Sequence, residues 1–181
     1  MMETAAFTLG PLSAAHRTAV ERLLEATQAF REEELAVALE LFDETLGRPL
    51  RGAPDYEFVG AFDADRVLTG YACYGPTPGT GATYDLYWIA VHPAYQGCGA
   101  GSALLAEIEQ RLRDRGGRLV VIETSARDGY DSTRRFYEGR GYHTAARLRD
   151  FYAPGDDRIV FAKVLTDSPS PHIRVMRSWR P

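Results

Sequence analysis

The chain has 181 residues, 45% of them apolar and 25% charged, with a net charge of −4. That length supports one domain with a proper core rather than two, and the acidic balance excludes nonspecific binding to nucleic acid or an anionic membrane. Two cysteines, Cys73 and Cys98, without a His/Cys cluster exclude a zinc site. With no secretory segment and no long apolar run, a reduced cytoplasmic setting is expected.

In chain order, a short strand over 7–9 is followed by Pro11 and Ser13, which introduce a helix with Val20, Leu23, Leu24 and Thr27 on its inner side. A second helix is expected over 32–46 on the stripe Leu35, Leu39, Phe42 and Leu46, with Gly47 ending it and Pro49 preventing resumption. Glu32-Glu33-Glu34 sits in its first turn, where negative charge complements the helix dipole. Strands over 56–62 and 67–74 flank Asp63-Ala64-Asp65-Arg66 as a hairpin, and 75–81 is a loop by composition. Residues 84–91, nearly all apolar and aromatic, suit a central strand buried on both faces, which His92-Pro93 stops.

Next comes Gln96-Gly97-Cys98-Gly99-Ala100-Gly101, opening directly into a helix that carries Glu107/Arg111 and Glu109/Arg113 pairs and closes at Gly116-Gly117. Glycines in alternate positions remove the β-carbons that would keep a ligand off the backbone. A helix start carries unpaired N–H groups and partial positive charge, so the loop is suited to a pyrophosphate. Residues 119–122 form another buried strand, making strand–loop–helix–strand a βαβ unit with parallel neighbours. Asp131 or Ser132 caps a short helix running through Arg140, with Gly141-Tyr142 at its end. Strands over 143–152 and 158–165 flank Ala153-Pro154-Gly155-Asp156-Asp157 as a second hairpin, and 167–171 reads as a linker.

Two cofactors compete for the glycine loop. A dinucleotide fingerprint needs a third glycine where Ser102 stands, although Glu123 lies near the expected acid position. It also leaves no room for the five residues from His92 to Gln96 between strand and loop. The other spacing is Q-x-x-G-x-G, formed by Gln96, Gly99 and Gly101. With Phe136-Tyr137-Glu138-Gly139-Arg140-Gly141-Tyr142 it resembles the GNAT superfamily of acetyl-coenzyme A-dependent N-acetyltransferases, and the resemblance covers nearly the whole chain through Leu165.

The resemblance implies a single domain over 1–165 followed by a tail over 166–181. It implies an α/β fold with a mostly antiparallel mixed sheet, helices on both faces, and a bulged central strand splayed from its parallel neighbour. It also implies a cofactor site made by Ile89, Ala90, Val91, Gln96, Gly97, Cys98, Gly99, Ala100, Gly101 and Ser102, with Arg134 reaching the adenosine phosphates. Tyr137 becomes the proton donor to the coenzyme A sulfur, and a free N–H near Val91 the oxyanion donor. The family's usual asparagine seven residues earlier is Tyr130 here.

For the base, Asp85 is the first candidate, sharing a strand face with Tyr87, Ile89 and Val91 if alternation is unbroken. Glu123 is the second, against a strand-end ion pair. His92 reads as a capping residue. The expected activity is acetyl transfer to a primary amine of a small molecule or amino acid, without a metal. A protein or peptide acceptor and a catalytically silent acyl-coenzyme A sensor are the alternatives. A homodimer through sheet edges or tails is the expected assembly.

Overall fold

The computed structural model describes residues 7–47 and 56–165. Pro49 and the tail from residue 166 onward, read above as a helix stop and a linker, lie outside the described residues. The elements are β1 (Thr8–Pro11), α1 (Arg17–Thr27), α2 (Glu32–Phe42), β2 (Glu57–Phe62), β3 (Leu68–Pro76), β4 (Thr83–Val91), α3 (Ala100–Asp114), β5 (Leu119–Ser125), α4 (Asp131–Glu138), β6 (His143–Ala153) and β7 (Asp156–Val164). The strands make one sheet in the order β1-β2-β3-β4-β5-β7-β6, antiparallel except for the β4–β5 pair.

Alternation along the strands divides the core in two. On one face α3 and α4 set Leu104, Leu105, Ile108, Leu112 and Tyr137 against Val59, Ala72, Leu86, Val120 and Phe161. On the other, α1 and α2 set Val20, Leu23, Leu24 and Phe42 against Phe58, Tyr71 and Cys73. Each fully buried leucine contributes roughly 1.5–3 kcal/mol, so both helix pairs are held mainly by these stripes.

Three local expectations are corrected. The second helix does not stay α-helical to residue 46: it widens into a π turn over Asp43–Gly47, where the Thr45 hydroxyl donates to the Leu41 carbonyl at 2.8 Å. Neither Asp131 nor Ser132 caps α4, because a 3-10 turn over Asp128–Tyr130 runs straight into it and Tyr130 takes the capping position. In β4 the pairing with β3 steps from Trp88↔Cys73 to Leu86↔Tyr74, which leaves Tyr87 as an extra, bulged residue. The bulge breaks the alternation assumed for Asp85. Tyr87 bonds Asp85, and Trp88 and Ala90 pack toward α1 and α2, whereas Ile89 belongs to the α3 side.

An ion network centred on a buried carboxylate joins the far end of the sheet to α3. Glu109, 6% exposed, accepts from Lys163 of β7 at 2.8 Å, Arg113 at 3.0 Å and the Tyr142 hydroxyl at 3.1 Å. Lys163 also donates to the Arg140 carbonyl at 2.8 Å, fixing the turn that ends α4. Its partners are partly exposed, Lys163 at 22% and Arg113 at 39%, so water takes up much of the charge that loss of Glu109 would leave. Glu109→Ala is therefore expected to lower stability by about 2 kcal/mol, the worth of its charged hydrogen bonds, read as a fall in the urea midpoint with the m-value unchanged.

Candidate active site

The glycine loop reaches α3 through a backbone only glycine adopts easily. Gly99 caps the helix at φ 97°, and Gly97 sits at φ 76°. Gly101 faces Phe136 of α4, whose ring would lie 3.3 Å from an added β-carbon. The first intrahelical bond runs from Ala103 N–H to the Gly99 carbonyl at 2.9 Å, which leaves the N–H groups of Ala100, Gly101 and Ser102 without helical acceptors. Arg140 bonds the Ser102 hydroxyl, lies over the Phe136 ring at 3.7 Å and lines the cavity in front of this loop. That cavity holds about 450 Å³ and runs from Tyr95 and Gln96 past Gly97–Ser102 to Tyr137. From behind, the Tyr95 hydroxyl donates to Asp63 at 2.7 Å, and the Asp63 carboxylate also accepts the Asp65 and Val67 amides of the β2–β3 turn. The Tyr95 bond, followed by the two turn bonds, holds the Asp63 carboxyl below its ordinary pKa.

The cavity continues into a split in the sheet. β4 and β5 pair through only four residue pairs, ending at Leu86↔Ile122, although both strands run on. Past the split β4 is bonded to β3 alone. His92 N–H donates to the Thr69 carbonyl at 2.8 Å, and antiparallel alternation then turns the amide groups of Val91 and Ile89 away from β3 and into the split. Gln96 Nε2 accordingly reaches the Val91 carbonyl at 3.1 Å. The free amides arise from the parted ladder, and the bulge itself lies earlier, at Tyr87. Tyr137 stands at the split, lining the cavities on both sides of it, and its hydroxyl makes no hydrogen bond to the described residues. Burial, with a smaller contribution from Tyr130, pushes the Tyr137 phenol above its ordinary pKa, so it stays a neutral donor.

On the α1–α2 face the split opens into a second cavity of about 440 Å³. Asp85 lies here. Its Oδ2 accepts from Thr77 at 2.7 Å and from Tyr87 at 3.4 Å, and Oδ1 takes no bond among the described residues. Glu123 lines the same cavity but is ion-paired with Arg158 of β7. Thr124, the second β5 residue past the ladder, adds a buried hydroxyl with no partner among the described residues. Glu34 accepts the Arg31 amide at 2.7 Å, capping α2 while also lining the cavity. Across from it Tyr152 is pushed above its ordinary pKa, first by burial and then by the charges of Asp156, Glu34 and Tyr130. A strap closes one end: the Ala29 carbonyl, between α1 and α2, accepts from Arg127 at 3.0 Å and Tyr130 at 3.3 Å.

Thus the structure brings Tyr137, Asp85, Glu123, Ile89, Ala90, Val91 and Gln96 to the rim of the split and the glycines to its α3 side. Cys98 is half-buried in the loop, its thiol 3.8 Å from the Gln96 carbonyl. Arg134 is not brought there. It bonds the Ser125 carbonyl at 2.9 Å, the Arg127 carbonyl at 3.2 Å and Asp131, stapling α4 to the end of β5. Sequence reasoning missed Arg140, which does reach the loop, although it stands inside the quoted motif. It also missed Phe30 and Tyr152, which lie far away in sequence. His92 accepts the Ala94 amide at 3.2 Å, as a capping residue does.

The acetyltransferase (GNAT) family profile matches residues 19–142. Among solved structures, a GNAT-family protein from Desulfovibrio desulfuricans is 46% identical over 90% of this chain and 99% of its own, with a TM-score of 0.79. The ribosomal-protein-S18-alanine N-acetyltransferase of Escherichia coli is 20% identical over 92% and 99%, with a TM-score of 0.72. An aminoglycoside 6'-N-acetyltransferase complexed with coenzyme A is 18% identical over 90% and 99%, with a TM-score of 0.70. Among curated proteins no significant sequence match is found. The chain belongs to the acetyltransferase (GNAT) family. The parted parallel pair within an otherwise antiparallel sheet rules out the dinucleotide-binding alternative, which needs a doubly wound parallel sheet.

If the strap holds the α1–α2 loop, cutting it should loosen that loop alone. Arg127→Ala is expected to speed amide exchange over residues 28–31 by about fivefold, the worth of one hydrogen bond, with α3 exchange unchanged.

Proposed function

We propose that this enzyme transfers an acetyl group from acetyl-coenzyme A to the primary amine of a small molecule by direct attack, with Asp85 as base and Tyr137 as acid. The observation that carries the reading is the pair of cavities on opposite faces of the sheet, meeting at Tyr137 in the split. On the α3 side, the unpaired amides of Ala100, Gly101 and Ser102 with Arg140 fit a pyrophosphate, and the inward amides of Ile89 and Val91 fit a pantetheine arm. Acetyl-coenzyme A supplies the acyl carbon. On the other side, Asp85 has an open oxygen to take the amine's proton, and the neutral phenol of Tyr137 returns one to the departing sulfur. An inward β4 amide facing the carbonyl oxygen supports the charge that develops there.

Glu123 is the weaker candidate base, because Arg158 already neutralises it. Because Arg158 holds its charge and Asp85 takes the proton in this reading, Glu123→Gln should change kcat by less than about fivefold.

The test is coenzyme A thiol release with a panel of amines, preceded by calorimetric titration with acetyl-coenzyme A. Tyr137→Phe and Asp85→Asn should each lower kcat by about 100-fold while leaving acetyl-coenzyme A affinity within about twofold. Tight binding without release from any amine would indicate a sensor instead, and unchanged kcat in both variants would remove the assigned roles.

A further inference from the structure

The acceptor cavity has a chemistry more specific than "small amine". Its walls are aromatic. Phe30 from the α1–α2 loop meets Trp88 edge-on at 5.4 Å, and Tyr87 meets Tyr56 edge-on at 5.0 Å. Tyr152 reaches in from the β6 strand, supported edge-on by Phe151 at 5.0 Å. Ring-on-ring packing fixes these side chains before any ligand arrives, so little rotamer entropy remains to be lost on binding. Yet Tyr87 and Tyr152 are each 38% exposed inside the cleft, leaving apolar ring surface uncovered. A volume of about 440 Å³ suits a ligand of ring-plus-chain size.

The charge pattern selects further. Asp85 lies at the inner end with Oδ1 open, Glu34 stands in the wall near Tyr152, and Glu123 is neutralised by Arg158. Among the described lining residues the cationic side chain is that of Arg31, exposed at the start of α2 and 3.8 Å from Glu34. Among the described residues no cationic side chain lines the inner end. An amino acid would carry its α-carboxylate one carbon from the reacting nitrogen and so bring it against Asp85. Like charges at that range oppose binding. A peptide terminus lacks that carboxylate but needs an extended groove with backbone partners, and the Ala29 strap to Arg127 and Tyr130 bars the cleft at one end.

We propose that the acceptor is a primary arylalkylamine: a flat ring on a short chain ending in an amine, with no carboxylate beside it. This rests on the transferase reading given above. The ring lies among Phe30, Tyr87, Trp88 and Tyr152, and the chain directs the amine past Asp85 into the split. There the N–C bond forms as the C–S bond breaks, Asp85 takes the amine's proton and Tyr137 gives one to the sulfur, yielding an amide and free coenzyme A.

The experiment compares phenethylamine and tryptamine with phenylalanine, tryptophan, hexylamine, spermidine and an alanine-initiated tripeptide. Thiol release is measured alongside calorimetric binding to the coenzyme A complex. Phenethylamine is expected to exceed phenylalanine in kcat/KM by about 100-fold and hexylamine by about tenfold. Trp88→Ala should raise the phenethylamine KM about tenfold with acetyl-coenzyme A affinity unchanged. Should that variant fail to fold, Tyr152→Ala, at an exposed strand, carries the same expectation. Turnover of an amino acid, polyamine or peptide equal to or better than the arylalkylamines would overturn the inference while leaving the transferase standing. Arylalkylamine binding without thiol release from any amine of the panel would overturn the acceptor assignment together with the transferase reading, leaving only a binding site of the proposed shape. Neither binding nor turnover of the arylalkylamines would overturn the inference outright.

Discussion

The structure turns on a ladder that is left unfinished. β4 and β5 share four residue pairs and then part, though each continues for several residues. Buried backbone amides ordinarily find partners, so a parted pair in the middle of a sheet is a standing demand for something to fill it. Everything around the split serves it. The bulge at Tyr87 changes which β4 side chains face each layer, α3 and α4 place their glycine loop and Tyr137 against one opening, and the α1–α2 loop roofs the other. A complete ladder would make a better sheet and close both cavities.

Holding strands apart requires rigid surroundings. The two core layers provide most of that rigidity, with Leu104, Leu105 and Ile108 under one face and Leu23, Leu24 and Phe42 under the other. Polar clamps at the margins provide the rest. Asp63 and Tyr95 brace the glycine loop, Arg134 ties α4 to the end of β5, and Glu109 with Lys163 anchors β7 and the turn after α4 to α3. None of these groups faces the split, yet each fixes an element that does.

Much of this was legible in the sequence because it is local. The apolar run of β4, the glycine loop, the α3 charge pairs and the turn after α4 are short-range patterns, and they appear with shifts of a residue or two. What sequence could not give is long-range. The bulge is set by how β3 and β4 register, so Asp85 and Ile89, assigned to one face by simple alternation, lie on opposite faces. Arg134 and Arg140 are six residues apart and chemically identical. Only packing shows that the first is consumed by carbonyls of the β5–α4 loop and the second reaches Ser102. Tyr152 enters the cleft from the last hairpin, more than sixty residues from Asp85, and carries no local signal.

The two cavities open on opposite faces of one sheet and touch only at the split. A donor and an acceptor approaching from these sides do not pass through each other's doorway. With the donor and acceptor on the sides proposed for them, neither has to leave before the other enters, so both can be held at once with their reacting ends at Tyr137. Two openings to one reaction point also give the proposed carrier and product a way out each.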